Sequence, residues 1–281
     1  MTNLDVHTSS SLLQRNDHPR STSAMRALGR WAGVEADIVD TAISNMRAGD
    51  ARGFLVSGAQ ASGKDTIAPA VLEQAGLVGT PARVAHAIRA EMKSILHVIS
   101  QSSSVELARA EIIANFDVHD DSAALYTNLF FEAVQADPTS VDVHERTETM
   151  RRALQWHGGE GKTHRPGYWV KRAYQAVIPM LAQGNTVYLT DGRFAGEVDA
   201  GRTFGIYTVR LFVPESIRCE RIEGRDGFSP SVASLRHPGE IGLDSYWGFD
   251  LELDNSANFE ANTALISDLF DQHQRTLSAA L

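Results

Sequence analysis

The chain has 281 residues, 43% of them hydrophobic, and a formal net charge of −9. This balance is typical of a globular protein of one or two domains. The net negative charge argues against binding to the phosphates of nucleic acid. The single cysteine, Cys219, excludes an internal disulfide and a cysteine-built zinc site. Because no apolar run is long enough to cross a membrane, we expect a cytoplasmic protein without a membrane partner.

The first fifty residues differ from the rest of the chain in composition and in the spacing of apolar residues. Residues 1–22 are rich in Ser, Thr and charged side chains, which predicts a mobile tail. Residues 23–50 are expected to form a helical extension. Apolar side chains recur at helical spacing over 24–47, which predicts one or two helices broken near Gly33.

From residue 51 onward, short apolar runs alternate with helical patterns. Strands are expected over 53–57, 83–86, 187–190, 206–213 and 250–253, and helices over 103–113, 168–183 and 261–281. This alternation predicts an α/β fold with a mostly parallel sheet of about five strands. The stretch from about 93 to 150 is expected to be a helical insertion.

The strongest motif is Gly58-Ala-Gln-Ala-Ser-Gly-Lys-Asp-Thr66, which follows a predicted strand and precedes a helical pattern. This is the context of a P-loop, in which glycines let backbone N–H groups turn toward phosphates at a helix N-terminus. Lys64 is expected to reach the β- and γ-phosphates of ATP. The expected nucleotide contacts are Gly58, Ala61, Ser62, Gly63, Lys64, Asp65 and Thr66.

The loop departs from the usual pattern at the residue that follows the lysine. A Ser or Thr normally holds Mg²⁺ there, whereas this chain has Asp65, with Thr66 next. Carboxylate and hydroxyl oxygens both suit Mg²⁺, so Asp65 and Thr66 are alternative ligands, and neither need serve. Asp191, at the end of a predicted strand, is a third candidate metal ligand.

Several arginines follow predicted strands and are candidates for phosphate contacts. Arg193 follows Asp191 and is expected to bind the acceptor phosphate or to pair with Glu197. Arg221 and Arg225 share a helix face if this stretch is helical, with Arg218 a weaker candidate. Asp191, Arg193, Arg221 and Arg225, together with Lys64, are the expected catalytic residues. Asn255 is expected either to meet the adenine or to cap a loop.

The GKDT form of the loop resembles the deoxynucleoside monophosphate kinases of bacteriophages, and animal phosphomevalonate kinases carry a similar Gly-Lys-Asp loop. Three further segments resemble the phage family in the same order. They are Arg151-Arg-Ala-Leu-Gln155 through Tyr168-Trp-Val-Lys171, Thr190-Asp-Gly-Arg-Phe194 with Glu197, and His237-Pro-Gly-Glu240 through Asn255. The resemblance covers about 54–70, 150–226 and 237–270.

The resemblance implies a three-layer α/β/α P-loop kinase domain over 51–281, with a helical acceptor-binding insertion and an arginine-bearing lid over about 215–245 that carries Arg221 and Arg225. It implies transfer of the γ-phosphoryl group of ATP, with Mg²⁺, to a deoxynucleoside monophosphate. Tryptophans at 156, 169 and 247 are expected mainly to pack, but the resemblance also implies that Trp169 contacts the acceptor. The implied acceptor contacts are Arg89, Arg152, Gln155, Arg165, Trp169 and Arg193.

Two alternatives remain at this point. One is another small-molecule P-loop kinase of the phosphomevalonate type, and the other is a non-catalytic protein that senses ATP. A small-molecule acceptor is the expected partner, without nucleic acid. The family suggests a homodimer, and a phage-encoded chain would work in the host cytoplasm.

Overall fold

The structure is a computed structural model that describes residues 20–145, 147–227 and 229–281. The expected tail up to residue 19, Arg146 of the expected insertion and Phe228 of the expected lid lie outside the described residues. The chain divides into two compact units. We call residues 20–30, 35–81 and 179–281 the sheet unit, and residues 31–34 and 82–178 the helical unit.

A five-stranded sheet forms the centre of the sheet unit. Its strands are β1 (Arg52–Ser57), β2 (Gly79–Ala82), β3 (Thr186–Leu189), β4 (Tyr207–Phe212) and β5 (Leu251–Asp254), in the order β2-β3-β1-β4-β5. Strand β1 pairs in parallel with β3 and β4, and β4 pairs in parallel with β5. The expected α/β fold with a mostly parallel sheet of about five strands is confirmed.

Helices flank this sheet. Those of the sheet unit are α1 (Thr22–Ala32), α2 (Ala36–Ala48), α3 (Lys64–Gln74), α9 (Ala195–Thr203), α10 (Glu215–Asp226), α11 (Val232–Leu235), α12 (Pro238–Ile241) and α13 (Phe259–Ala280). Helices α3 and α13 pack against Phe54 and Val56 of β1, while α9 contacts β1 and β4. The layering is consistent with a three-layer P-loop-like architecture.

The helical unit contains α4 (Val84–Gln101), α5 (Val105–Phe116), α6 (Asp120–Ala136) and α7 (Glu148–His164). Helix α8 (Tyr168–Ala182) begins in this unit and ends in the sheet unit. Side chains such as Met92, Ile112 and Tyr126 form a separate buried core. The helical character expected for 93–150 is confirmed, and it extends back to residue 84.

One expected strand is wrong. Arg83 is the N-cap of α4 and residues 84–86 form its first turn, while the second strand occupies Gly79–Ala82. Four residues with two apolar side chains, Val84 and Ala85, cannot by themselves distinguish a strand from the first turn of a helix. Val84 is buried on the same face as Met92 and Ile95, so helical packing decides the conformation. Pro81 is tolerated because β2 is an edge strand.

The two N-terminal helices and the break between them are confirmed, with Gly33 at a φ of +78°. Arg20, inside the expected tail, is part of a buried polar cluster: its guanidinium lies 2.5 Å from Asp250 and 3.0 Å from Nδ1 of His273. The last residues of the expected tail are therefore held against the sheet unit. Within the part of the chain that the structure describes, no helix has the length and apolarity needed to cross a membrane.

Candidate active site

The phosphate loop lies where the parallel strands end. Strand β1 ends at Ser57 and α3 begins at Lys64, so the intervening residues form the turn between them. Gly63 has a φ of +90°, and a Cβ atom there would lie 2.6 Å from Nδ2 of Asn255. Ala61 also has a positive φ, +61°. The strand–loop–helix context that the motif predicted is present, with the loop amides ahead of the α3 N-terminus.

Lys64 is 6% exposed, and its Nζ lies 3.4 Å from the carbonyl oxygen of Ala59. Burial lowers the pKa of its ammonium, and the positive charge of Arg193 lowers it further. Negative charges on Asp65, Glu240 and Asp191 act in the opposite direction. The lysine therefore lies among the charged groups that the sequence predicted, together with one, Glu240, that it did not assign a role.

The expected metal ligands adjoin the same lysine. The hydroxyl of Thr190, just after β3, donates to Oδ1 of Asp65 at 2.6 Å. Asp191 is the next residue, and its charge acts on Lys64. Thr66 is exposed in the first turn of α3. The described residues contain no cluster of three His, Cys, Asp or Glu side chains suited to hold a metal alone.

That donor set fits Mg²⁺ bound together with a nucleotide. Magnesium in such sites typically takes one or two protein oxygens and completes its shell with phosphates and water. Asp65, Asp191 and Thr66 are oxygen donors at the end of the phosphate loop.

Arg193 follows β3 and belongs to the same group of residues. Its backbone N–H donates to Glu197 at 2.6 Å, and its guanidinium donates to the carbonyl oxygen of Gly239 at 2.9 Å and to the carboxylate of Glu240. The sequence suggested a side-chain pair between Arg193 and Glu197. Glu197 also accepts the backbone N–H of the N-cap residue Phe194 at 3.2 Å, the bond that the N3 residue makes in a capping box.

Arg221 and Arg225 line a cavity of about 600 Å³ beside Lys64 and Asn255. Arg221 donates to the carbonyl oxygens of Ala61 at 3.2 Å and of Asn255 and Ser256 at 3.0 Å. Arg225 is more exposed and pairs with its neighbour Asp226 at 2.6 Å. Arg218 faces elsewhere: it is buried, with Nε 3.3 Å from the carbonyl oxygen of Val213.

The side chain of Asn255 holds the loop backbone. Its Nδ2 donates to the carbonyl oxygen of Ser62 at 2.9 Å, and its Oδ1 accepts from Asn262 at 3.0 Å. Of the two expectations for Asn255, a nucleotide contact or a loop cap, these bonds support the structural one. The residue is 5% exposed at the cavity wall.

Two of the expected acceptor residues form a cluster within the helical unit. Arg165 lies 3.3 Å from Glu91, and its guanidinium carbon is 3.9 Å above the ring of Tyr168. Trp169 is 2% exposed and donates to the carbonyl oxygen of Gly158 at 3.0 Å, so its ring is a packing element here. Although burial alone would raise the pKa of Glu91, His157, Tyr168 and Arg165 hold it below its ordinary value.

The other expected acceptor residues lie apart from this cluster. Arg89 donates to the carbonyl oxygen of Val143. Arg152 and Gln155 are exposed on α7.

Trp156 and Trp247 are 49% and 60% exposed, so the expectation that they pack in the core is wrong for both.

Two residues of interest were not assigned by sequence reasoning. Glu91 is buried on the apolar face of α4 beside Met92 and Ile95. An acidic residue at such a position signals a buried charge pair, because an unpaired carboxylate there would be costly. Glu240 was recognised only as a member of a motif, and its loop contacts join residues 180 positions apart.

No protein-family model matches this chain, and no curated protein sequence matches it at a significant level.

Proposed function

We propose that this chain is an ATP-dependent phosphotransferase whose acceptor is a deoxynucleoside monophosphate, giving the diphosphate and ADP. The observation that carries the proposal is the grouping of Lys64, Asp191 and Arg193 at the ends of β1 and β3. Phosphoryl transfer needs positioning and charge neutralisation more than covalent chemistry. A buried lysine at a phosphate loop, with a carboxylate and an arginine beside it, supplies both.

In this proposal the loop amides and Lys64 hold the phosphates of ATP. Asp65, Thr66 and Asp191 would hold Mg²⁺, which when bound spreads the negative charge of the phosphates. Arg221 fixes the loop by its bonds to Ala61 and Asn255, and Arg225 extends into the same cavity. The acceptor phosphate is itself the nucleophile, so no covalent enzyme intermediate is required.

The choice of acceptor rests on the resemblance to the phage kinases. The positive charge of Arg193 acts on the loop lysine, and its planar guanidinium suits an acceptor phosphate. Arg89, Arg152, Gln155 and Arg165 remain predicted acceptor contacts. A small-molecule partner, a cytoplasmic location and a possible homodimer belong to the same proposal.

A phosphomevalonate-type kinase and an ATP sensor are the two rivals. The first shares the Gly-Lys-Asp loop but not the resemblance of the segments around Trp169 and Thr190. The second would need the nucleotide cavity but no acceptor arginine. The position of Arg193 beside the lysine favours an enzyme over a sensor.

The test is an ADP-release assay with ATP and Mg²⁺ across a panel of ribo- and deoxynucleoside monophosphates. Phosphomevalonate and a reaction without acceptor are included, and Lys64→Ala is the blank. Turnover that requires a monophosphate and is lost in the blank supports the proposal. Turnover only with phosphomevalonate supports the first rival, whereas ATP binding without acceptor-dependent turnover supports the second.

A further inference from the structure

The carboxylate of Glu240 contacts the phosphate loop. Its Oε2 accepts the backbone N–H of Gln60 at 2.5 Å, and its Oε1 pairs with the guanidinium of Arg193. The Glu240 side chain is 10% exposed. Two donors that would suit a phosphate oxygen are therefore engaged by an acidic side chain of the same chain.

Glu240 also acts on the loop lysine. Its negative charge is one of three that raise the pKa of Lys64 against the effect of burial. One carboxylate therefore accepts a hydrogen bond from the Gln60 amide, pairs with the Arg193 guanidinium and acts electrostatically on Lys64. This is the set of interactions that an anionic phosphate group would make in its place.

The segment that carries Glu240 is fitted closely to Arg193. Helix α12 has four residues, and the carbonyl oxygen of Gly239 accepts from the Arg193 guanidinium at 2.9 Å. At Gly242, a Cβ atom would lie 2.9 Å from the carbonyl oxygen of Arg193 and 2.7 Å from that of Pro238. The backbone of this segment therefore approaches Arg193 at a distance that only glycine allows.

We propose that Glu240 is an internal competitor for phosphate: its carboxylate occupies an anion position of the loop and leaves when phosphate binds. The inference rests on the nucleotide binding contained in the proposed function and concerns its regulation. It does not depend on the identity of the acceptor.

The physical reason is mutual exclusion. A carboxylate and a phosphate repel each other and compete for the same N–H and guanidinium donors. Bound phosphate must therefore displace Glu240, which lowers the observed affinity. The same displacement releases Arg193 from its carboxylate partner, so that nucleotide binding makes this arginine available to a second anion.

The experiment measures binding of ADP and, separately, of inorganic pyrophosphate to the full chain by titration calorimetry. Glu240→Gln removes the charge and keeps the shape. The matched control is Asp244→Asn, which removes one charge from the same segment, where Asp244 pairs with Arg210 at 3.0 Å and is 64% exposed. We expect Glu240→Gln to bind both probes about tenfold more tightly, as the loss of one charged hydrogen-bond competitor implies. The control should stay within about twofold of the wild type, as for an exposed ion pair.

Unchanged or weaker binding in Glu240→Gln would overturn the inference, because Glu240 would then be neutral to phosphate or would help to hold it. Absence of binding in both the wild type and Glu240→Gln would also overturn it. Tighter binding that Lys64→Ala abolishes supports it. Loss of acceptor-dependent turnover with ADP binding intact would count against the proposed kinase but not against this inference.

A second measurement needs no variant. In a crystal structure of the wild-type chain with ADP, the Glu240 carboxylate should have left the Gln60 N–H and the Arg193 guanidinium. A complex in which the phosphates bind and Glu240 keeps both contacts would contradict the inference, even if Glu240→Gln failed to fold.

Discussion

Neighbouring arginines of α10 have different surroundings although they share one helix face. Arg221 donates to three backbone carbonyl oxygens and links the phosphate loop to the segment after β5. Arg225 pairs with the adjacent Asp226, and its side chain is 56% exposed. The first residue is therefore part of the architecture of the cavity, whereas the second is free of such backbone contacts.

Arg221→Ala should lower the free energy of unfolding by about 1–3 kcal/mol, because it leaves carbonyl oxygens of the loop without their charged donor. It should also weaken ADP binding by about tenfold or more, since the loop loses a support. Chemical denaturation and calorimetry measure the two effects.

The matched variant is Arg225→Ala. Its stability should lie within about 0.5 kcal/mol of the wild type, as for an exposed side chain with a local partner. Equal destabilisation by the two variants would contradict the distinction drawn between them.

At the scale of elements, the sheet and the loop were predictable from sequence, and the side-chain network around them was not. The apolar run of β1 is buried on both faces, so its composition alone indicated a strand. The start of α4 was mistaken for a strand because its identity depends on packing over eighteen residues. The contact of Glu240 with Gln60 depends on the path of the chain through α10, α11 and α12, which no local pattern encodes.

A second prediction concerns the buried side chain of Glu91 on α4. Replacing this buried carboxylate by Ala removes a polar partner of Arg165 and His157 and leaves the Arg165 guanidinium without its ion-pair partner. We expect a loss of about 3–5 kcal/mol, the usual range for breaking a buried pair, measured by denaturant unfolding.

Glu148→Ala is the control, because Glu148 is 75% exposed and pairs with Arg151 three residues along α7. It should change stability by less than about 1 kcal/mol. A small effect of Glu91→Ala would mean that the cluster contributes little to the helical unit.

At the scale of the whole molecule, stability should depend on pH through His273. Burial and the nearby Arg20 lower its pKa from 6.5 to about 4, against the opposing effect of Asp250. The imidazole lies between Arg20 and the carbonyl oxygen of Gly205, with Arg202 also acting on it. The folded chain therefore disfavours a charged imidazole.

The direction in which stability changes with pH follows from the difference in proton binding between the folded and the unfolded chain. Between pH 6.5 and about 4 the unfolded chain binds a proton at this position and the folded chain does not, so stability falls as the pH falls through that window. The full difference corresponds to about 3 kcal/mol. Above pH 6.5 the imidazole is neutral in both the folded and the unfolded chain, so no stability is lost through His273.

Unfolding free energies at several pH values between 7 and 4 test the prediction. Because buried carboxylates also titrate, His273→Gln isolates the histidine: the variant should be less stable at pH 7 and should show a shallower loss toward pH 4. Parallel pH curves for the variant and the wild type would contradict the role assigned to His273.

The proposed activity, phosphoryl transfer from ATP to a nucleoside monophosphate, is tested by identifying the product. The chain would be incubated with ATP, Mg²⁺ and the deoxynucleoside monophosphates, and the nucleotides followed by ³¹P nuclear magnetic resonance. We expect a deoxynucleoside diphosphate and ADP to appear in equal amounts, and Lys64→Ala to form neither. Release of ADP and inorganic phosphate without any new diphosphate would contradict this expectation.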